Sequence, residues 1–248
     1  MLEPLRTARG VVRSLRIYYG DGERSAAMDR LYRPFVRPGD LVFDIGAHVG
    51  DRVAAFRRLE ARVVAVEPQP APVRMLRLLR GRDPDVAIEA AAVGSCAGSI
   101  DLNLNLDNPT VSTASSGFIA AAAGARGWEG QAWSKTVRVP LITIDTLIAK
   151  HGVPAFIKID VEGFEAEALA GLGEPVPALS FEFTTMQRDV ANACIERCAA
   201  LGFVKFNAVL GESQRLEHAN WIDARAISRW LAELPADANS GDIYASLA

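Results

Sequence analysis

The sequence predicts an α/β domain in which a mostly parallel sheet is covered by helices on both faces. Three observations predict it. Short, near-continuous apolar runs alternate with segments of helical period along most of the chain. The first of these runs passes through a glycine-containing turn into a helical segment. Half of the 248 residues are apolar, enough to bury one large core. The chain reads as one domain over residues 1–248, with a helical extension at 1–38 and an insertion or lid at 103–140.

The elements follow in order. In the opening stretch, Arg6, Arg9, Arg13 and Arg16 share one helical face, as in a solvated helix packed on a domain. The turn Pro38-Gly39-Asp40 introduces the buried strand Leu41–Ile45, and residues 51–60 carry Val53, Phe56 and Leu59 at helical spacing. A second strand, Arg62–Glu67, is stopped by Pro68. Pro72 suits the first turn of a helix with Val73, Leu76 and Leu79 on its apolar face. A weaker strand is expected from Val86 to Ala92.

Beyond 102 the alternation breaks. Residues 103–140 hold three asparagines (Asn103, Asn105, Asn108), a Ser/Thr cluster, an Ala-rich stretch and two tryptophans, Trp128 and Trp133. So long an irregular segment is usually functional or disordered. The pattern resumes with the strand Ile157–Asp160, a helix over 165–171, the strand Ala178–Phe183 and a helix over 188–201. A strand near 203–209, a helix near 225–233 and the run Ile243–Ala245 complete it.

Composition removes several classes of function. A net charge of −3 argues against a protein that grips phosphate backbones, and no basic stripe with interleaved aromatics is present. The apolar fraction excludes a disordered chain. No stretch approaches the roughly 18 apolar residues of a membrane helix. Three cysteines at spacings that fit no zinc pattern point to a reducing compartment, read here as the cytoplasm. Cys194 and Cys198, one helical turn apart, are expected to be buried packing.

The sharpest chemical signal is Asp44-Ile45-Gly46-Ala47-His48-Val49-Gly50, between the first strand and its helix. Glycines there let backbone approach a ligand closely. Glu67, about 20 residues after Gly46, ends the neighbouring strand where an acid accepts hydrogen bonds from ribose hydroxyls. The dinucleotide pattern G-x-G-x-x-G is absent, since position 48 is His and position 51 is Asp. An acid at 44 would repel a diphosphate but suits an ammonium or sulfonium, which points to S-adenosylmethionine rather than NAD. Asp44, Gly46, His48, Gly50, Glu67 and Pro68 are the candidate cofactor-binding residues.

A second motif, Lys158-Ile159-Asp160-Val161-Glu162-Gly163-Phe164-Glu165, puts carboxylates at a strand's carboxyl end, where ligands bind in open α/β sheets. Helix capping accounts well for Glu165, fairly well for Glu162, and least well for Asp160.

Together, VFDIGAHVGD, VVAVEP, the AAVG at 91–94, the TIDTL at 143–147 and FIKIDVEGFE resemble the FkbM family of S-adenosylmethionine-dependent methyltransferases, over roughly residues 17 to 210. The resemblance implies a three-layer, Rossmann-like class I methyltransferase fold with a seven-stranded sheet whose last strand is antiparallel. It also implies methylation of a hydroxyl on a small molecule, sugar or natural-product scaffold. Asp44, Gly46, Gly50 and Glu67 would hold the cofactor, and Asp160 and Glu162 would border the methyl-transfer cleft. Position 48 is His where many members carry Asn.

For a hydroxyl acceptor a general base helps. Asp160 is the first candidate, which makes it both a catalytic and a cofactor-site residue; Glu162 is the second. Glu182 is a third, unless it is a buried acid paired with an arginine. His218 is expected at the surface, and Trp128 and Trp133 fit either stacking on a sugar or packing of the lid. Asp160 and Glu162 would need a third acid to bind Mg²⁺, and nothing in the sequence fixes one, so no metal is expected. A homo-oligomer is compatible with the sequence. Two rivals stay open: a nicotinamide-dependent oxidoreductase, which lacks its turn motif here, and a non-catalytic module, which would not need the strand-tip acids.

Overall fold

Five consecutive buried residues, Leu41–Ile45, form β1 near the middle of a seven-stranded sheet in a computed structural model that describes Gly10, Arg13 and residues 21–248. The turn at Gly46–Gly50 leads into α2 (Asp51–Arg58), which returns the chain to β2 (Arg62–Val66). A further crossover through α3 (Pro70–Arg80) reaches β3 (Val86–Glu89) at the sheet edge. The chain then comes back across β1 to β7 (Phe156–Ile159), and continues through α6 (Glu165–Ala170), β8 (Ala178–Thr184), α7 (Arg188–Ala200) and β9 (Lys205–Leu210). It ends with α8 (Ala224–Glu233) and β10 (Ser240–Ser246).

The strand order is β3-β2-β1-β7-β8-β10-β9. The first five strands in that order pair in parallel, while β10 runs antiparallel to both β8 and β9. The expected mostly parallel sheet with an antiparallel last strand is therefore present. Succession reverses between β1 and β7, so their carboxyl ends flank the crevice where open α/β sheets bind ligands.

Alternation along each strand divides the core between two faces. Phe43, Ile45, Ile157, Ile159, Leu179 and Phe181 meet α6, α7 and α8 on one side, where Cys194 and Cys198 pack as expected. Val42, Val63, Ala65 and Phe156 face α1 (Gly22–Tyr32), α2 and α3 on the other. α1 lies inside the stretch read as an extension. Asp21 caps it by accepting from the amides of Glu23 and Arg24, and Met28, Leu31 and Tyr32 are core residues. Of the four arginines expected on one face, Arg13 is helical and exposed; Arg6, Arg9 and Arg16 lie outside the described residues.

The middle of the chain differs from expectation. The third strand stops at Glu89, and Ala92–Val93 (β4) belongs to a second sheet, ordered β4-β6-β5. β5 (Gly98–Leu104) and β6 (Lys135–Ile142) are antiparallel and bring Leu102 and Val139 together. The 103–140 segment thus contains the end of β5, the helix α4 (Ser116–Ala122) and most of β6. The interleaved Asp101 and Asn103 gave β5 the appearance of a loop, although they alternate with Ile100, Leu102 and Leu104. Thr143 caps a further helix, α5 (Ile144–His151), by accepting from the Thr146 amide.

Candidate active site

The turn after β1 is shaped by left-handed backbone. Gly46 has φ +87°, His48 +46° and Gly50 +84°. The Gly46 and Ala47 amides both donate to the Val66 carbonyl, folding the turn over the end of β2. A Cβ at Gly46 would collide with the Asp160 carbonyl, so only glycine lets the turn touch the tip of β7.

A cavity of about 1010 Å³, counted with its open mouth, lies above these tips. Asp44, Gly46, His48, Glu67, Pro68, Asp160 and Glu162 all line it, so the two motifs read from sequence meet. Gly50 does not reach the wall; it starts α2 as a left-handed cap. Thr110, Ser112 and Ala114 show that the 103–140 segment supplies one wall of the cleft.

Glu67 is 2% exposed. Its Oε2 accepts from the His48 amide at 2.9 Å and its Oε1 from the Gln69 amide at 2.8 Å. Each oxygen keeps acceptor capacity for a ligand. Burial raises its pKa to about 7, against the lowering by those amides. Asp44, 1% exposed, has a buried Oδ2 with no hydrogen-bond partner. Burial, and then the Asp51 charge, raise its pKa to about 7. Burial drops the His48 imidazole to about 4, which leaves it neutral near pH 7.

Three acids crowd the other end. Asp160, Glu162 and Glu182 have carboxylate oxygens all within 4.8 Å of one another. Burial pushes Asp160 up, but Lys158 and then Arg52 bring it below the usual carboxylate range. Glu162 and Glu182 are driven well upward by burial and by the Asp160 charge. One ionised and two protonated carboxyls is how crowded acids settle. The spacing would let a hard cation bridge them, with Glu182 as the third acid that the sequence did not fix. The Lys158 ammonium, however, already stands against Asp160.

Several expectations need correction. Glu162 does not cap a helix: it sits at φ +56°, lines the cleft and accepts through its carbonyl from the Thr113 hydroxyl at 2.6 Å. Glu165 does not cap the helix either: it opens α6, which has no side-chain cap, and its Oε1 accepts from the amides of Val161 and Gly163 in the loop before it. Glu182 has no arginine partner among the described residues; it faces Asp160 and Glu162. Trp128 and Trp133 set their rings edge-on against buried Phe118, and their indole N–H groups donate to Asn239 and to the Val111 carbonyl. They pack the segment and do not line the cleft. His218 is half-buried against Trp230, away from the site.

Sequence reasoning missed Lys158 and Asp242. Lys158 is completely buried, and its Nζ lies 3.1 Å from Asp160 Oδ2 and 2.8 Å from Asp242 Oδ1. The available signal was a charged residue inside the apolar run Phe156–Ile159, since a buried charge requires a partner. At the mouth, Arg52 and Arg24 both pair with Asp51 and Glu212, tying α1, α2 and the loop after β9 together.

A model of the Methyltransferase FkbM domain matches residues 44–217, which include both motifs. The chain is 31% identical to the 31-O-demethyl-FK506 methyltransferase FkbM of Streptomyces tacrolimicus over 163 residues, 55% of this chain and 61% of that protein's length. The precorrin-6y C5,15-methyltransferase of Geobacter metallireducens GS-15 aligns with 90% of this chain and 87% of its own, at 13% identity and a TM-score of 0.43. A TehB-like SAM-dependent methyltransferase from Corynebacterium glutamicum ATCC 13032 Kitasato aligns over 89% and 86%, at 10% identity and 0.45. The strand order, not these superpositions, defines the fold.

Proposed function

The chain belongs to the FkbM methyltransferase family, and from that premise we propose that it is an S-adenosylmethionine-dependent methyltransferase acting on a hydroxyl of a small molecule, saccharide or natural-product scaffold. The observation that carries the reading is the convergence of Asp44, Glu67 and Asp160, from the ends of three neighbouring strands, on one cleft. The curated relative is named for an O-demethyl acceptor, which favours oxygen as the atom methylated.

The residues present fit the cofactor. Glu67, with one backbone amide on each oxygen, would receive the two ribose hydroxyls. The unpartnered Asp44 oxygen would receive a cationic or donor group, and the Gly46 turn admits a ligand close to backbone. When bound, the cofactor supplies an electrophilic methyl on a sulfonium. The chain's task is to align an acceptor oxygen behind that methyl and to exclude water; well-oriented intramolecular models gain up to roughly 7–11 kcal/mol this way. Asp160, kept ionised by Lys158, accepts the acceptor's proton, a step worth typically about 10²–10⁴ in rate. Protonated Glu162 and Glu182 donate hydrogen bonds to neighbouring hydroxyls of a polyhydroxylated acceptor, which gives Glu162 a positioning role.

All three cysteines are free, with Cys96 exposed, which supports a reducing compartment. No described helix is long and apolar enough to cross a membrane. The test is calorimetric titration with S-adenosylhomocysteine, followed by a screen of hydroxylated acceptors with methyl-labelled cofactor. Binding that Glu67→Ala weakens is the expected result. Enhanced NADH fluorescence with no S-adenosylhomocysteine binding would return the oxidoreductase reading.

A further inference from the structure

Lys158 is the one residue of β7 that an apolar interior should not tolerate. It is 0% exposed, between β1 and β8 in the sheet, with Asp44 and Ser180 as its register partners. An ammonium withdrawn from water costs several kcal/mol unless closely compensated. Compensation comes from two directions: Asp160 just past the end of its own strand, and Asp242 on β10, which reaches Nζ across the sheet. Tyr32 of α1 and Arg52 of α2 face the same spot. Burial works against the charge, but the two carboxylates outweigh it and raise the pKa well above the ordinary lysine value.

A buried ion pair is weak evidence for stability, since apolar replacements of similar volume often serve as well. Its placement has a different consequence. Lys158 holds Asp160 through Oδ2 at the edge of the cleft, and Glu182, also hydrogen-bonded to Asp160, and Glu162 press on it. Without a cation beneath it, three crowded acids and Asp242 would compete for protons, and the identity of the ionised one would not be fixed.

We propose that Lys158, braced from the last strand by Asp242, is a positioning residue that selects Asp160 as the ionised acid of the cleft. The inference rests on the reading of Asp160 as the acid bordering the methyl-transfer position. An ionised carboxylate there favours a sulfonium over a neutral thioether by simple Coulomb attraction. The ratio of S-adenosylmethionine to S-adenosylhomocysteine affinity therefore reports its charge.

The experiment measures both dissociation constants by calorimetry for the parent chain, Lys158→Met, Lys158→Arg, Asp160→Asn and the double variant Lys158→Met/Asp160→Asn. Lys158→Met and Asp160→Asn should each lower the ratio at least fivefold, and the double variant should match Asp160→Asn within twofold, because Lys158 acts through Asp160. Lys158→Arg should stay within twofold of the parent. An unmoved ratio in Lys158→Met beside a lowered one in Asp160→Asn overturns the role of Lys158 alone, as do additive effects in the double variant. An unmoved ratio in Asp160→Asn overturns the reading beneath it, and a parent chain that binds neither compound overturns the cofactor assignment itself. Should Lys158→Met fail to fold, Asp242→Asn removes the brace while keeping the ammonium. It should shift the ratio in the same direction by two- to threefold, and no shift overturns the proposal.

Discussion

The carbonyl oxygen of Asp160 fills the space that a side chain at residue 46 would need, while the Asp160 amide donates to the Ile45 carbonyl at 2.9 Å. The glycine turn and the acid-bearing strand tip are thus a single joined surface. Gly46→Ala meets both a backbone collision and a φ of +87°. It should destabilise the chain by at least about 2 kcal/mol and abolish S-adenosylhomocysteine binding. Urea unfolding and calorimetry check this; a variant with parental stability and affinity would show that the contact is dispensable.

Glu67 predicts a pH dependence. Its pKa rises from the ordinary 4.5 to about 7 on burial. Across that interval the folded chain holds a proton that the unfolded chain has released. The stability of the ligand-free protein should therefore fall as pH rises from about 4.5 to about 7 and level off above, at up to about 1.4 kcal/mol per pH unit for each such acid. Asp44, raised to about 7 by the same cause, acts in the same direction. Glu67→Gln should flatten part of the slope in melting curves. If, as proposed, the Glu67 carboxylate receives the ribose hydroxyls, S-adenosylhomocysteine affinity should rise toward pH 7, and in Glu67→Gln that rise should shrink.

Asp160→Asn tests the proposed base. If Asp160 is the base, its loss should lower turnover by about 10²–10⁴, with S-adenosylhomocysteine affinity changed by less than about tenfold. Any acceptor found in the labelled-methyl screen serves for the assay. Turnover equal to the parent's would remove Asp160 from the role of base.

Phe118 organises the wall of the cleft contributed by residues 103–140. It is completely buried, takes the edges of both Trp128 and Trp133, and presses against Gly163. Phe118→Ala should cost about 3–5 kcal/mol and speed amide exchange over residues 110–133. Exchange unchanged in that stretch would mean that the tryptophans hold without it.

Most strand tips were legible because an acid sits at or near the end of each apolar run: Asp44 one residue before the end of Leu41–Ile45, Glu67 directly after Val66, and Asp160 directly after Ile159. Composition alone does not say which acids are ionised. For Asp160 that depends first on Lys158, whose other partner, Asp242, is far away in sequence and is brought to it by the antiparallel last strand. The second sheet escaped notice because its alternating pattern carries Asp and Asn on the outer face, the residue types that also mark turns. α5 is short and depends on the Thr143 cap as much as on periodicity.

β10 occupies an interior place in the sheet although it is the final strand in chain order. A ribosome making this protein exposes β8 with an unsatisfied edge until residues 240–246 emerge, so nascent chains present a row of unpaired amides and carbonyls ready for wrong partners. Chaperone demand during synthesis should accordingly concentrate in the interval between the appearance of β8 and that of β10, and a chain cut before residue 240 would lack the counter-charge beneath its cleft as well as a sheet member.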